Sequence, residues 1–303
     1  MNQIQSLLIQ ALTSKNGPLA GKRIKGIQEV SGGCINQAWR IDMDGDKRFF
    51  AKTNRPDAIS MFKCESDGLF ALNRYVDKNL LVIPKPIEVR QEESFSMLLM
   101  PWLSLIGENQ SSLGKGLARM HKLSAQSGDC HLFGWDRDGY IGSGLQPGGW
   151  RDKWGECFFE LRLLPQLNIA KSWGLSIQPF QKISSFLVDF LNKHNPEPSI
   201  VHGDLWSGNA FSQGDCKGVL IDPAVWWADR EVDIAMTRMF GGFTKDFYKA
   251  YEFEWPLKPE TANRIDIYNL YHLLNHANIF GGSYKQQCQI SMDKIVQMLL
   301  NFN

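Results

Sequence analysis

Residues 201–209, which read VHGDLWSGN, are the feature that most constrains what this chain can fold into. They supply a carboxylate at Asp204 and an amide at Asn209, and a second carboxylate follows at Asp222. The two spacings are therefore five and thirteen residues. Two short strand-like runs lie between Asn209 and Asp222, and we expect a hairpin that carries these side chains on its two ends.

An Asp and an Asn five residues apart, with a metal-binding Asp downstream, also form the pattern of the protein-kinase catalytic loop. Here Gly203 stands where that loop has Arg. This form is typical of small-molecule kinases that resemble the aminoglycoside phosphotransferases, so we expect a small hydroxylated substrate. Asp204 is then the candidate base for the attacking hydroxyl. Asn209 and Asp222 are the candidate Mg²⁺ ligands, because that ion prefers hard oxygen ligands.

For two further polar residues near this motif we expect a structural role. His202 precedes the candidate base, and we expect a hydrogen-bonded structural histidine, with a metal or acid–base role as the alternative. Asp233 follows the second carboxylate at the start of a predicted helix. We expect it to cap or brace the catalytic loop.

Length and composition fit a globular protein with two lobes. At 303 residues the chain is too long for one simple core, and 43% hydrophobic with 21% charged residues is ordinary. A net charge of +1 predicts no nucleic-acid partner, and no apolar run is long enough to predict a membrane span. Six scattered cysteines without a C-x-x-C pair predict reduced thiols in a cytoplasmic protein. We expect a monomer or a weak homodimer.

The predicted elements separate a β-rich first part from a helical second part. After an amphipathic N-terminal helix, we expect a small mixed sheet with one helix: strands at about 23–30, 34–42, 47–53, 86–91 and 95–100, and a helix at about 57–77. Then follow helices at about 108–124, 151–172, 177–194, 230–239, 243–253, 261–280 and 284–301, and strands at about 210–213 and 217–222. The predicted fold class is α+β, with a nucleotide-binding lobe at 1–99, a hinge at 100–103 and a catalytic lobe at 104–303.

The predicted N-terminal lobe offers groups that could hold the phosphates of ATP. Lys52 lies on the third predicted strand, where a kinase-like lobe carries its phosphate-binding lysine, and Glu65 on the next helix is its candidate partner. Between the first two strands lie Gly32, Gly33 and Cys34, whose backbone N–H groups could cradle phosphates. The alternatives are a solvated lysine, a surface glutamate and an ordinary glycine turn.

Several segments together resemble the fructosamine kinase family, also called ketosamine-3-kinases. The resemblance extends from about residue 20 to about residue 285. Its segments include SGGCIN at 31–36, CESDGL at 64–69, LARMH at 117–121, HGDLWSGN at 202–209, IDPA at 221–224, REVD at 230–233, FGGF at 240–243 and LYHLLNH at 270–276. The resemblance implies a protein-kinase-like two-lobed fold, use of ATP and Mg²⁺, and deglycation. It implies phosphorylation of the 3-hydroxyl of a ketosamine, such as ribuloselysine or fructoselysine, on a free or protein-bound amine.

Aromatic side chains near the motifs are candidates for the pocket that binds the acceptor. They are Trp206, Trp226, Trp227 and His276. Their rings could stack on a sugar or receive the cation of an amine. For each of them, packing in the core is the alternative.

Three departures from the family pattern bear on nucleotide and substrate binding. Pro101 stands where an acidic hinge residue is common, and because proline lacks an N–H, Met100 or Trp102 would supply the adenine contacts. The stretch WWAD at 226–229 replaces YYGH, and Gly148 stands where Asn is often seen. These changes affect the predicted substrate face and leave the phosphoryl-transfer residues in place.

Two other functions stay open from the sequence. One is a kinase of the same fold that acts on an aminoglycoside, choline or a similar amino alcohol. The other is a nucleotide-binding module without catalysis, which the presence of Lys52, Asp204, Asn209 and Asp222 disfavours.

Overall fold

The computed structural model describes residues 3–31, 35–105, 110–214 and 217–301, and it has the predicted α+β composition. The strands of the described residues are β1 (Ile24–Val30), β2 (Gln37–Met43), β3 (Arg48–Asn54), β4 (Leu81–Val82), β5 (Glu88–Gln91), β6 (Ser96–Pro101), β7 (Phe133–Trp135), β8 (Gly139–Ile141), β9 (Gly144–Gln146), β10 (Gly149–Arg151), β11 (Ser199–Val201), β12 (Ala210–Ser212), β13 (Gly218–Leu220) and β14 (Trp226–Ala228). The helices are α1 (Gln3–Thr13), α2 (Ile59–Asn73), α3 (Gln110–Gln126), α4 (Trp154–Phe158), α5 (Leu164–Ala170), α6 (Gln178–Lys182), α7 (Ser184–His194), α8 (Glu231–Met239), α9 (Lys245–Glu254), α10 (Thr261–Phe280) and α11 (Ser283–Asn301).

The five-stranded N-terminal sheet carries Lys52 on its middle strand. Its order is β1-β2-β3-β6-β5 and every neighbouring pair is antiparallel, so the prediction of a mixed sheet is wrong. Successive side chains of a strand point to opposite faces. Met97 and Leu99 accordingly pack with α1, whereas Leu98 and Met100 belong to the core on the side of α2. Lys52 lies opposite Leu98, so its side chain shares the face that α2 covers.

Helix α2 packs against both the sheet and the C-terminal part of the chain. It begins after a 3₁₀ turn at Pro56–Ala58, and its buried face contains Phe62 and Leu69. A Cβ atom placed on Gly68 would lie 2.9 Å from Cγ2 of Val225. Because Gly68 has no side chain, the helix can pack this closely against the segment that follows Asp222.

The C-terminal part is mainly helical, but two long predicted helices are interrupted. The helix predicted at 177–194 is divided into α6 and α7, with Ile183 between them. In place of a single helix at 151–172, α4 passes through a π-helical turn at Phe159–Leu163 into α5. Pro165 has no N–H to donate to the residue four positions earlier, and Leu164 donates to Phe159, five positions back. Among the described residues, every helix is too short or too polar to span a lipid bilayer.

Seven short strands of the described residues were not predicted, and most of them position the segments that carry the motif. All are two or three residues long, which is too short for an alternating pattern to be recognised. Four of them form a sheet in the order β10-β7-β14-β11, in which β11 directly precedes residues 202–209. The predicted hairpin β12–β13 follows these residues, and β13 also pairs with β4. The motif is therefore fixed between two small sheets.

Candidate active site

The loop of residues 202–209 runs beside the segment that carries Asp222. The backbone N–H of Ala224 donates to the carbonyl of His202 at 2.8 Å, and that of Ile221 donates to the carbonyl of Asn209 at 3.0 Å. Both ends of the loop are thus bonded to the same short segment. The second predicted carboxylate lies between these two bonds.

Gly203 permits the closest contact between these two segments. Its φ is +82°, in the left-handed region that favours glycine, and a Cβ atom at this position would lie 2.0 Å from the carbonyl oxygen of Ala224. A side chain here would force the segments apart. The geometry explains why this loop has glycine where the protein-kinase pattern has arginine.

Asp233 braces the loop from the first turn of α8, as the sequence predicts. Its two carboxylate oxygens accept the backbone N–H groups of His202 and Gly203, each at 2.8 Å. His121 donates from Nε2 to the same carboxylate at 3.0 Å, and the hydroxyl of Tyr251 donates to Nδ1 of His121 at 2.9 Å. Burial alone would raise the pKa of Asp233, but the hydrogen bonds from His121 and from the backbone N–H of Gly203 lower it. The brace is therefore a buried carboxylate anion.

His202 has the structural role that the sequence favours. Its Nε2 donates to the carbonyl of Ile221 at 2.8 Å, and its Nδ1 accepts the N–H of Asp204 at 3.3 Å. Burial lowers the pKa of His202, so the ring is neutral and one nitrogen can accept a hydrogen bond. The imidazole thereby fixes the backbone that presents Asp204.

Asp204 and Asn209 meet at the centre of the loop. The side-chain nitrogen of Asn209 donates to the backbone carbonyl of Asp204 at 2.9 Å and lies 3.3 Å from its Oδ2. Burial and the negative charge of Asp222 raise the pKa of Asp204 to about 7, although the hydrogen bond from Asn209 opposes this rise. A carboxyl group that titrates near neutral pH is suited to accepting a proton during a reaction.

Lys52 links the two lobes through a pair of carboxylates. Its Nζ lies 2.8 Å from Oε1 of Glu65 on α2 and 2.5 Å from Oδ1 of Asp222 in the C-terminal part. Burial alone would lower the pKa of Lys52, but the charges of Asp222 and Glu65 raise it. The group is therefore an ammonium ion, in contact with one carboxylate from each lobe.

The donor set fits a divalent cation of the magnesium type. Asp204, Asp222 and Glu65 bring three carboxyl groups to a site where Lys52 is the only cation in direct contact with them among the described residues. Because the nitrogen of the Asn209 amide is used on Asp204, the oxygen of the same amide is the atom left to ligate a metal. Carboxylate and amide oxygens are the ligands that Mg²⁺ prefers.

The other residues predicted to bind the nucleotide are less informative. Gly32, Gly33 and Cys34 lie outside the described residues. Met100 is buried in the core beside α2, and the backbone N–H of Trp102 donates to the carbonyl of Arg48 at 3.2 Å. That N–H is consequently not available to an adenine ring, and a backbone contact from Trp102 would have to use its carbonyl oxygen.

Two of the four rings predicted for the acceptor pocket lie in the core instead. The side chain of Trp226 is 0% exposed, stacks on Trp154 at 5.6 Å and has the guanidinium of Arg162 3.9 Å above its ring. Trp227 is also buried, with Tyr75 against its edge at 5.8 Å. Both belong to β14 and are almost fully buried, so neither ring lines an open pocket.

The other two rings are brought together by Phe240, which the sequence analysis named only as part of the FGGF segment and did not predict as a site residue. Trp206 is 40% exposed, and Phe240 lies between it and His276, with ring centroids 6.5 and 4.9 Å away. A Cβ atom on Gly242 would lie 2.5 Å from Cβ of Ser207, so the FGGF segment closes tightly on the catalytic loop. A glycine pair directly after a helix was the available signal for this contact.

A second cluster of titratable groups has a structural explanation. His194, Asp229 and Glu231 place one ligand atom each within 4.8 Å of one another. However, Arg264 binds both oxygens of Glu231 at 2.8 and 3.0 Å, and Tyr268 donates to Asp229 at 2.7 Å. The guanidinium already supplies the positive charge that a metal would bring, so the cluster is an internal ion-pair network.

Comparison with known proteins shows the family to which the chain belongs. The family model described as fructosamine kinase matches residues 6–298. The chain is 38% identical over 275 residues to a probable ketoamine kinase of Vibrio parahaemolyticus, covering 88% of this chain and 91% of the relative. It is 38% identical over 270 residues to a probable ketoamine kinase of Synechocystis, covering 88% and 89%.

Comparison with solved structures shows that the similarity includes the fold. A Haemophilus somnus protein that carries the description fructosamine-3-kinase has a TM-score of 0.82 and 31% identity, covering 95% of this chain and 96% of that one. Amicoumacin kinase has a TM-score of 0.60 at 13% identity, covering 98% and 94%, which is a likeness of fold alone. The predicted kinase-like fold is confirmed. This chain belongs to the fructosamine kinase family, and it is a phosphotransferase.

Proposed function

We propose that this protein transfers the γ-phosphoryl group of Mg-ATP to the 3-hydroxyl of a ketosamine, such as ribuloselysine or fructoselysine. The observation that carries the proposal is the convergence of Asp204, Asn209, Asp222, Lys52 and Glu65 at one site between the lobes. The ketoamine kinase descriptions of the bacterial relatives support the acceptor class. A phosphate on the 3-hydroxyl destabilises the sugar–amine adduct, so the proposed role is deglycation.

In this mechanism the chain's own residues position groups and move one proton. Asp204 accepts the proton of the attacking hydroxyl, for which its raised pKa is suited. Lys52, held by Glu65, binds the α- and β-phosphates. Asn209 and Asp222 would hold Mg²⁺, which when bound neutralises negative charge on the transferring phosphates.

The ketosamine is proposed to bind beside Trp206, Phe240 and His276. His276 donates from Nδ1 to the backbone carbonyl of His272 at 2.8 Å, which leaves Nε2 with its lone pair. Burial lowers the pKa of His276, so the neutral ring can accept a hydrogen bond from a sugar hydroxyl or an amine. The exposed face of Trp206 offers a stacking surface for the sugar or a site for the amine cation.

The first experiment measures ADP release with Mg-ATP and ribuloselysine, fructoselysine, choline or an aminoglycoside as acceptor. We expect turnover on a ketosamine and a reduction of kcat by about 100- to 10,000-fold for Asp204→Asn, the range for loss of a general base. Turnover on choline or the aminoglycoside alone would overturn the proposed acceptor. An Asp204→Asn variant within a few-fold of wild type would overturn the assigned base. Phosphorus NMR of the product identifies the hydroxyl that carries the phosphate.

A further inference from the structure

A hairpin in the C-terminal part contacts the helix that carries Glu65. Strands β8 and β9 pair with Tyr140 opposite Leu145, and their turn contains Gly142 at φ +59°. Together with the two residues before β8, the hairpin comprises residues 137–146, which we call the β8–β9 clamp. No reaction step described above uses it.

The clamp contacts one face of α2. Ser60, Cys64 and Asp67 are spaced by four and three residues, so they lie on the same side of the helix. Each of them has a polar partner in the clamp: the hydroxyls of Ser60 and Tyr140 are 3.0 Å apart, the thiol of Cys64 lies 3.6 Å from the carbonyl of Asp138, and Asp67 forms an ion pair with Arg137. Glu65 is the neighbour of Cys64 in this turn of the helix.

The other side of the clamp is fixed to the catalytic part of the chain. Gln146 donates to the carbonyl of Ala224 at 3.3 Å, just after the candidate metal ligand Asp222. Asn275 on α10 lies 3.5 Å from the carbonyl of Ile141 and directly precedes His276. The clamp therefore spans from the proposed metal and acceptor residues to the N-terminal lobe.

The base of the clamp is tightly packed. Gly148 donates its N–H to the carboxylate of Asp138 at 2.8 Å, and a Cβ atom at Gly148 would lie 2.3 Å from the backbone carbon of Arg137. Glycine rather than asparagine at 148 thus lets the backbone of Arg137 and Asp138 approach closely. The side chain of Arg137 projects from a fixed backbone toward α2.

We propose that the β8–β9 clamp positions α2 so that Glu65 meets Lys52, and that Arg137 and Tyr140 are positioning residues for nucleotide binding. Glu65 and Lys52 lie on different elements, so the ion pair between them depends on where the helix sits relative to the sheet. If the clamp is loosened, a smaller fraction of molecules has α2 in the competent place, and the apparent dissociation constant rises by the inverse of that fraction. The inference rests on the proposed function for the role of the Lys52–Glu65 pair.

The test measures the Kd of Mg-AMP-PNP by calorimetry without any acceptor, and then kcat and KM for ATP. The variants are Arg137→Ala, Tyr140→Phe, the two combined, and the charge reversal Arg137→Asp with Asp67→Arg. The matched control is Lys294→Ala, because Lys294 and Asp266 form an ion pair of similar exposure, 65% and 34% against 54% and 42% for Arg137 and Asp67, away from α2. Melting temperatures are recorded for all variants.

We expect Arg137→Ala to weaken Mg-AMP-PNP binding about two- to five-fold, the scale of a partly exposed ion pair, and the combined variant to weaken it about ten-fold. The charge reversal should return Kd to within about two-fold of wild type. Lys294→Ala should lower the melting temperature as much as Arg137→Ala and leave Kd unchanged, which separates positioning from a merely structural effect.

Two results would overturn the clamp proposal. One is a Kd within about 1.5-fold of wild type for both Arg137→Ala and Tyr140→Phe. This result overturns the proposal even if the combined variant does not fold. The other is a charge-reversed protein that binds as weakly as Arg137→Ala. A wild-type protein that binds Mg-AMP-PNP but phosphorylates no ketosamine would overturn the proposed acceptor alone, because the comparison of Kd values needs no acceptor.

Discussion

The position that a Cβ atom of Gly203 would occupy lies 2.0 Å from the carbonyl oxygen of Ala224. The loop that carries Asp204 and the segment that carries Asp222 are therefore packed backbone against backbone. Their separation is set by the absence of one side chain. Any residue larger than glycine has to change the distance between the candidate base and the candidate metal ligand.

Gly203→Ala should accordingly destabilise the protein and reduce kcat. A left-handed φ costs an alanine about 1–2 kcal/mol, the clash adds about 1–3 kcal/mol, and a misplaced base can lower kcat about 100-fold. Urea unfolding and steady-state kinetics measure both effects. Gly45→Ala is the matched control, because Gly45 also has a left-handed φ of +79° but nothing within 4 Å of its Cβ position. Equal behaviour of the two variants would contradict the packing argument.

Lys52→Met should reduce kcat/KM for ATP by about 100-fold or more, the usual effect of removing one preorganised electrostatic contact from a reaction site. The KM of the ketosamine should change little. Glu65→Gln should have a smaller effect in the same direction, because Lys52 keeps its contact with Asp222. Lys63→Met, on the exposed side of α2, is the control. If the kcat/KM for ATP of Lys52→Met equals that of wild type, the assignment of Lys52 to phosphate binding is wrong.

Trp206→Ala should raise the KM of the ketosamine about ten-fold and leave the KM of ATP unchanged. The reason is the loss of a stacking or cation–π contact, which is worth about 1–1.5 kcal/mol. Phe253→Ala removes another exposed ring, 89% exposed on α9, and should change neither constant. An equal rise of both KM values in Trp206→Ala would point to a distorted catalytic loop instead of a lost acceptor contact.

His272 should make the protein sensitive to mild acid. Its ring is buried, neither nitrogen has a partner among the described residues, and burial lowers its pKa to about 3. Its folded-state pKa lies below the unfolded value of about 6.5, so the unfolded chain binds the proton first and stability falls as the pH drops below about 6.5.

From this group alone we expect a loss of about 2 kcal/mol in unfolding free energy between pH 7 and pH 5. His272→Phe should remove that part of the pH dependence, as measured by urea unfolding at the two pH values. His131→Phe, at an exposed histidine, should retain it. An identical pH dependence in His272→Phe and wild type would contradict the assignment.

Several long periodic segments were predicted well, whereas the helices expected at 151–172 and 177–194 are divided and most of the short strands were not predicted. Helix α10 occupies the predicted residues 261–280, and β1 to β3 each lie within a few residues of their predicted bounds. Their hydrophobic pattern repeats several times within the element. Strands such as β11 and β14 have three residues, and their positions depend on each other's hydrogen bonds.

The residues of the candidate site show the same difference between local contacts, which were predicted, and long-range contacts, which were not. Asp204 and Asn209 interact within one loop, so their spacing alone indicated the contact. The brace from Asp233 and His121 joins residues 112 positions apart, and no local pattern indicates that His121 takes part. Tryptophan is a residue type expected in a binding pocket, but the ring of Trp226 is fully buried and packs in the core.

By itself the sequence determined the family, the α+β fold class and the residue types of the catalytic loop, because these depend on local spacing and periodicity. Tertiary structure decided that Lys52 contacts Asp222, 170 residues away, and that α2 is held by a hairpin from the other lobe. It also decided which aromatic rings are open to a ligand. These contacts form only when segments that are distant in the sequence pack against each other. Their geometry therefore cannot be predicted from the order of neighbouring residues.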